Sequence, residues 1–329
     1  MVIVVTMSVF IADYINARID CKGIEDNHVK TEAEDEYLED IQRELEEGPE
    51  DLGVEDIREK EVIIINSIEE LLEYNKRINI LILGLDGTRS DTMMIASIDR
   101  VRNYLDIISI PRDTYYPRKR YNGVGMKKIN FIYPSSGHKA VYDAIEDIMS
   151  GLKMDYFIVL KYIGVERIVD SIGGVPITIN KTMKYDDKHA NPPLHIYFKP
   201  GDYTLNGEDS VKYLRYRQAN PGSGALQRNG DLGRIESQQD FIESAIKQID
   251  RSNIINLVRT IISEIDTDIN LSDAIKLGII AAGIPNDNIN FWILPGNMTS
   301  NLGDGLCYYK PDFRKIKEMI IEIYSQGFD

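Results

Sequence analysis

Cysteine is nearly absent: Cys21 and Cys307 are the only two in 329 residues. That excludes a disulfide framework and a cysteine-based zinc site. Far apart in sequence, the two thiols are expected to be unpaired and partly buried. Histidine is also scarce, with four in the chain, and none stands at metalloprotease spacing. The phosphate-loop signature GxxxxGK[ST] is missing, which excludes a kinase of that type. No apolar run reaches the ~20 residues that a spanning helix needs. The opening stretch, MVIVVTMSVFIADY, is apolar as far as Ala12 and has no basic residues before it, unlike a cleaved signal peptide. Residues 1–12 read as the remnant of a membrane anchor, with a short buried strand or helix as the alternative. An anchor would place the remainder at the cell membrane, on its extracytoplasmic face.

Charge is abundant but uneven. The chain carries a formal net charge of -15. Thr31 to Glu61 alone holds fifteen acidic against three basic residues, so most of the excess lies in that one segment and the remainder is almost balanced. The overall sign argues against a general nucleic-acid binder. Residues 13–61 read as a solvated acidic spacer, too polar to offset the entropy of ordering. Hydrophobic residues make up 43% of the chain, enough for one large folded domain, expected over 62–329 with no linker inside it.

That domain opens with Ser67-Ile-Glu-Glu-Leu-Leu, a capped helix start with Ser67 as N-cap and Glu70 three positions on. Strands are expected at Asn79–Leu85, Thr92–Ile98 and Tyr104–Ile110, the last two joined by a hairpin turn at 99–103. Helical spacing runs from His138 to Met149, followed by a strand at Tyr156–Leu160, a helix at Val165–Ile172 and a strand at Val175–Ile179. Thr182–Lys199 reads as an irregular surface excursion and 201–206 as a turn. Helices are expected from Gly207 to Arg217, Asp231 to Ile249, Ile254 to Ile265, Ser272 to Ala282 and Asp312 to Tyr324, with a strand at Ile289–Leu294. Interleaved strands and helices predict a layered α/β domain, a central mixed sheet flanked by helices.

Five short stretches carry chemistry. Asp86, Arg89 and Asp91 follow the apolar run Ile80–Leu83. Carboxylates at a strand end suit a hard divalent cation that completes its shell with phosphate and water; an internal Arg–Asp pair explains them equally well. Arg112 ends the third strand in SIPRDT, at the kind of edge where α/β proteins place ligands. A guanidinium there can grip a phosphate bidentately, or pair with Asp113. Lys127-Lys128 forms a basic loop. Arg215 and Arg217 close a helix beside Tyr213 and Tyr216. Asp231, Arg234 and Gln238 share one helix face, while Ile235, Phe241, Ile242 and Ala245 form its core face. Together these are a carboxylate pair and several cations at element ends, as phosphoryl chemistry requires.

In order and spacing the stretches LGLDGTRSDTMM, ISIPRDTY, KKINFIY, VDSIGGVPI, LNGEDSVKYLRYR and DLGRIESQQ resemble the LytR-CpsA-Psr family of bacterial envelope proteins. The likeness runs from about Arg77 to Ile249, and the LPG at 294–296 with Tyr308-Tyr309 looks like that family's C-terminal extension. The resemblance implies an α/β fold with an apolar pocket for a polyprenyl chain; Phe131, Ile132, Tyr142 and Ile145 are candidate lining residues. It implies transfer of a glycopolymer, such as teichoic acid or capsule, from a polyprenyl-pyrophosphate carrier at the membrane surface to peptidoglycan, forming a phosphodiester link. Asp86 and Asp91 would hold magnesium or manganese. Arg89, Arg112, Lys128, Arg215, Arg217, Arg234 and Gln238 would hold the pyrophosphate, and Asp231 would orient the arginines. Arg89, Arg112, Asp231 and Arg234 are thus the candidate catalytic set. Ser237 departs from the family, which often carries arginine there.

Two other function classes compete. Asp86-Gly87-Thr88 is similar to the motif of haloacid dehalogenase-like phosphatases, but Gly84 stands where their nucleophilic aspartate belongs; pyrophosphate hydrolysis at the same site remains open. A non-catalytic polyprenyl-phosphate-binding regulator would carry the same residues.

Overall fold

The structure, a computed structural model, describes residues 67–121, 123, 125–188, 193–216, 219–220, 230–249, 254–299 and 306–325; the side chains of 86, 230–234 and 236 lie outside the description. The expected membrane-anchor remnant, the acidic spacer, Cys21 and Arg217 all lie outside the described residues. No described helix is long and apolar enough to cross a membrane.

A six-stranded mixed sheet organises the molecule. Its first strand, β1 (Ile78–Asp86), is followed by β2 (Arg89–Asp99) and β3 (Tyr104–Ser109), an antiparallel meander. Strand β4 (Tyr156–Lys161) lies parallel to β1 on the other side, so its C-terminal end points the same way. The short β9 (Asp266–Thr267) closes the β4 edge, and β10 (Ile289–Ile293) runs parallel to β3 at the opposite edge. Spatial order is β10-β3-β2-β1-β4-β9.

Alternation distributes the apolar residues between two faces. Ile80, Ile82, Met94, Ala96, Ile158 and Leu160 belong to one continuous core. That core is covered by α3 (Tyr162–Ser171), α4 (Gly207–Arg215), α5 (Gly230–Lys247), α6 (Ile254–Ile262) and α7 (Leu271–Gly283), through residues such as Val165, Leu214, Phe241, Val258 and Ile275. Leu81, Leu83, Met93 and Ile95 are equally buried and point the other way. Helix α2 (Ile132–Ile148), bent at Gly137 with φ +73°, lies on that side. So both faces are dry, which is why these strands read as near-continuous apolar runs.

The capped start at Ser67 forms as expected: its hydroxyl accepts from the Glu70 amide at 3.1 Å, opening α1 (Ile68–Tyr74). The first three strands fall within three residues of their predicted limits, the largest shift being the earlier start of β2. Two segments differ. Within the excursion expected at 182–199, β6 (Met183–Asp187) and β7 (Leu194–Phe198) are regular strands that pair antiparallel. The turn expected at 201–206 is a strand, β8 (Gly201–Leu205), which pairs with β5 (Val175–Ile179). These strands have only five residues each, too few for period-two alternation to stand out from loop sequence. Cys307 is free and exposed rather than partly buried.

Helices α3 and α4 approach closely at Gly207. A Cβ there would sit 2.3 Å from the Glu166 carbonyl oxygen, and the Gly207 amide donates to Asp170 at 2.8 Å. This contact fixes the helix that carries Arg215. At the far end of the sheet, Arg77 donates to Asp106 at 2.6 and 2.7 Å, fully inside the protein, while Trp292 and Asn290 donate to the other oxygen. That network is structural and lies at the strand ends remote from Asp86 and Arg112.

Candidate functional site

The site begins with an irregularity in the β1–β2 ladder. Gly84 pairs with Thr92, and the next residue, Leu85, pairs with Ser90. Asp91 is therefore the extra residue of a β-bulge. Bulges of this kind re-aim a side chain and recur beside functional sites. Ser90 stays buried and Asp91 becomes half-buried at the sheet's end. The Asp91 Oδ2 accepts from Arg112 Nη1 at 2.6 Å. The two side chains are only 13% and 15% exposed, so solvent screens the pair weakly.

Arg112 follows β3, the strand next to β2, and its segment is held between two others. The Asn130 and Ile129 amides donate to the carbonyls of Arg112 and Thr114, and Tyr116 donates to Lys127. On the other side, Tyr115 donates to the Tyr309 carbonyl and Tyr309 donates to the Asp113 carbonyl, each at 2.8 Å. Tyr309 belongs to β12 (Tyr308–Pro311), which pairs with β11 (Gly296–Thr299) and precedes the terminal helix α8 (Phe313–Tyr324). This frame presents Lys128, whose Nζ donates to Asp113 Oδ1 at 2.9 Å. Arg112 Nε lies 3.9 Å from the same oxygen. Charges thus alternate along Asp91, Arg112, Asp113 and Lys128.

The remaining candidates are placed as follows. Arg89 is exposed at the start of β2, its guanidinium 4.6 Å from the centre of the Phe131 ring. Arg215 ends α4, 4.7 Å from the centre of the Tyr162 ring. Gln238 is 5% exposed and donates to Thr92 Oγ1 at 2.9 Å, one residue beyond the bulge. The polar stripe of α5 therefore turns inward at Gln238, because Thr92 offers it a hydroxyl at the sheet's end. Ser237, where the family often has arginine, is likewise buried. The backbones of Asp86, Asp231 and Arg234 are described, in β1 and α5, but their side chains are not.

Of the candidate pocket residues, Ile132 and Ile145 are fully buried on α2. Phe131 lies beneath Arg89. Tyr142 packs edge-on to His138, its hydroxyl buried with no hydrogen-bond partner among the described residues. Sequence reasoning missed Gln239, whose amide donates to Ser109 Oγ at 3.3 Å and to the Trp292 carbonyl at 3.2 Å, tying α5 to β3 and β10. It also missed the part that Tyr308 and Tyr309 play in framing Asp113 and Lys128. No local pattern signals either, since each depends on a partner far along the chain.

Among the described residues no three acidic, histidine or cysteine side chains cluster as a ready metal cage. Magnesium does not need one, because it commonly takes one or two carboxylates and fills its shell with water and phosphate. Asp91, a half-buried carboxylate re-aimed by the bulge, fits that donor chemistry.

The sequence profile described as the LytR_cpsA_psr family matches residues 42–323. The chain belongs to this family. A curated relative, the polyisoprenyl-teichoic acid--peptidoglycan teichoic acid transferase TagV of Bacillus subtilis, is 22% identical over 77% of this chain and 66% of its own length. TagU of the same organism, with the same descriptive name, is 30% identical over 52% of this chain and 51% of its own. The chain thus spans less than two thirds of the length of either relative. The crystal structure of B. subtilis TagV has a TM-score of 0.61 at 20% identity, covering 76% of this chain and 98% of that one. TagT bound to LI-WTA has a TM-score of 0.58 at 21% identity, covering 77% and 92%. This LytR-CpsA-Psr member therefore shares the fold of those proteins, the layered α/β architecture that its sequence implied.

Proposed function

We propose that the chain is a phosphotransferase of cell-wall assembly. It would move a glycopolymer from a polyprenyl-pyrophosphate carrier to peptidoglycan and leave a phosphodiester link. The carrying observation is the convergence of Arg112, Asp91, Asp113 and Lys128 at one end of the central sheet, in a family whose relatives TagV and TagU are named for this type of transfer.

In this reading a sugar hydroxyl of the acceptor attacks the phosphorus that bears the glycopolymer. The new P–O bond forms as the bond to the polyprenyl phosphate breaks, and polyprenyl phosphate departs with its added negative charge. The hydroxyl proton passes to a carboxylate or water at the site. Arg112 presents a planar fork suited to two phosphate oxygens. Arg89, Arg215 and Lys128 add positive charge, and Arg217 and Arg234 are further candidates. Fixed cations in a partly dry site stabilise charge that develops in the transition state without reorganising. Asp86 and Asp91 would hold magnesium or manganese, which when bound neutralises phosphate charge. Gln238, buried against Thr92, ties α5 to the sheet end. The polyprenyl chain would lie against apolar residues of the α2 side, with Phe131, Ile132, Tyr142 and Ile145 as candidates.

The test is incubation of the full chain with a lipid-linked saccharide, magnesium and peptidoglycan. The expected result is saccharide covalently joined to peptidoglycan by wild type and not by Arg112→Ala or Asp91→Ala. Lipid binding without bond cleavage, under conditions where TagV or TagU is active, would overturn the transferase reading. Release of sugar phosphate without acceptor product would establish a hydrolase.

A further inference from the structure

Between Tyr115 and Lys128 the chain makes an excursion that starts and ends on the frame of the candidate site. Tyr115 and Lys128 are bridged antiparallel, and the Tyr116 amide donates to the Lys127 carbonyl at 2.8 Å. The stretch reads YYPRKRYNGVGMKK, five basic residues and no acidic one, in a chain of net charge -15. Two of the five are engaged. Lys128 pairs with Asp113, and Arg118 holds the excursion against the start of α2 by donating to Ser135 Oγ at 2.9 Å and to the Phe131 carbonyl at 3.3 Å. The Arg118 guanidinium also covers the Tyr121 ring, 4.0 Å from its centre. Lys119, Arg120 and Lys127 form no ion pair among the described residues. The α2 carboxylates on this side, Asp143 and Asp147, act on the Tyr116 hydroxyl and pair with none of them. Lys119 and Arg120 are exposed, and so is Met126, at 38%.

We propose that this excursion docks on the anionic headgroup surface of a lipid bilayer and seats the sheet end that carries Arg112 and Asp91 against the leaflet holding the carrier. The inference rests on the reading of the substrate as a polyprenyl carrier. A carrier with its tail in a bilayer keeps its pyrophosphate at headgroup depth. The protein surface that must approach the leaflet is therefore the one bordering the pyrophosphate cations. Lys119 and Arg120 lie on that border, in a segment that begins at Tyr115, just after Asp113, and closes on Lys128. An anionic leaflet attracts each Lys or Arg near it strongly enough to change partition about five-fold, within roughly a Debye length. Cations that project from the fold meet that field; those already paired with a carboxylate do not. The exposed Met126 favours a bilayer over a soluble polyanion as the partner. An apolar side chain gains by entering the acyl boundary, and a polyanionic chain in water offers it no such gain. Anchored on α2 through Arg118 and Tyr116, the excursion is ordered before contact, which limits the entropy lost on docking.

The deciding experiment is sedimentation of the full chain with phosphatidylcholine vesicles, with and without roughly one third phosphatidylglycerol. The apolar N-terminal stretch and the acidic segment are the same in every variant, so differences between variants isolate the excursion. Wild type is expected to prefer the anionic vesicles, and added salt should weaken that preference. Lys119→Gln combined with Arg120→Gln should lose about 25-fold in affinity for anionic vesicles and nothing on neutral ones. Met126→Ser should lose about three-fold or more on the anionic vesicles. Wild-type affinity in the double variant would overturn the docking proposal. So would loss of its binding to soluble polyphosphate with vesicle binding intact, which would assign the cations to a polyanionic chain. A transfer assay separates docking from the reading beneath it. The double variant should transfer as wild type from lipid-linked saccharide dispersed in detergent, and more slowly from anionic vesicles. An equal loss in both formats would make Lys119 and Arg120 substrate contacts and overturn docking. No transfer by wild type in either format would overturn the transferase reading, while the vesicle affinities still decide the excursion.

Discussion

Arg112 and Asp91 stand 2.6 Å apart, joined across the end of the central sheet although twenty-one positions separate them. Each is only slightly exposed, and each was a candidate for a different task, one for phosphate and one for a metal. Their contact brings the two candidate roles to one place, where a phosphate or a metal would have to compete with an existing ion pair.

Arg112→Ala should lower transfer by about 100-fold or more, the scale seen when one donor to a developing charge is removed. Arg112→Lys should recover only part of this, because an ammonium lacks the fork. The destabilisation should fall between the ~0–1 kcal/mol of exposed pairs and the ~3–5 kcal/mol of fully buried ones. Initial rates with a lipid-linked saccharide, beside urea denaturation, separate the two effects.

Deletion of Asp91 should turn the bulge into a regular ladder, with Gly84 opposite Thr92 and Leu85 opposite Ser90 as now. The protein is expected to fold with near-native secondary structure and to lose transfer entirely. Circular dichroism and the transfer assay read the two outcomes. Retained activity would show that the bulge does not serve the site.

Gln238→Ala leaves the Thr92 hydroxyl without its buried donor. A stability loss of about 1–3 kcal/mol is expected from that unsatisfied group. If Gln238 acts by fixing α5, Thr92→Val should lower transfer by a similar factor, although Thr92 itself is buried. An unaltered rate in Thr92→Val, with a large loss in Gln238→Ala, would instead make Gln238 a direct ligand.

The Arg77–Asp106 pair provides a control remote from the site. Arg77→Ala should destabilise the fold by about 3–5 kcal/mol by leaving a buried carboxylate uncompensated, with pyrophosphate affinity unchanged in the folded fraction. Burial pushes the Asp106 carboxyl above its usual range, and the Arg77 guanidinium opposes that shift. A raised carboxylate binds more protons folded than unfolded, so its own contribution to stability falls as pH rises from the ordinary carboxylate range through the raised folded value. Asp106→Asn should remove that slope from a pH series of denaturation midpoints.

Gly207→Ala should destabilise by about 1–3 kcal/mol, the usual cost of overpacking, since its Cβ would meet the Glu166 backbone. Because α4 carries Arg215, transfer should weaken as well. A thermal melt and a rate measurement check both.

The sequence by itself determined the parts that local patterning encodes. The apolar run Ile80–Leu83 marks a buried strand, and Thr92–Ile98 and Tyr104–Ile110 read as its neighbours in a meander. Ser67 with Glu70 announces a helix start, and the Ser67 hydroxyl caps that helix. The order of the motifs also carried the family. Tertiary structure decided what depends on partners distant along the chain. Strand β8 exists because β5 lies beside it, and no five-residue window encodes that pairing. Asp91 is a bulge residue only in the register that Gly84 and Leu85 impose. Lys128 meets Asp113, Gln238 meets Thr92, and β12 frames residues 113–115 through contacts spanning up to nearly two hundred positions. Side-chain type says which of these groups need a partner. Only the packed sheet, which fixes the ends of its strands in one place, says which partner each one finds.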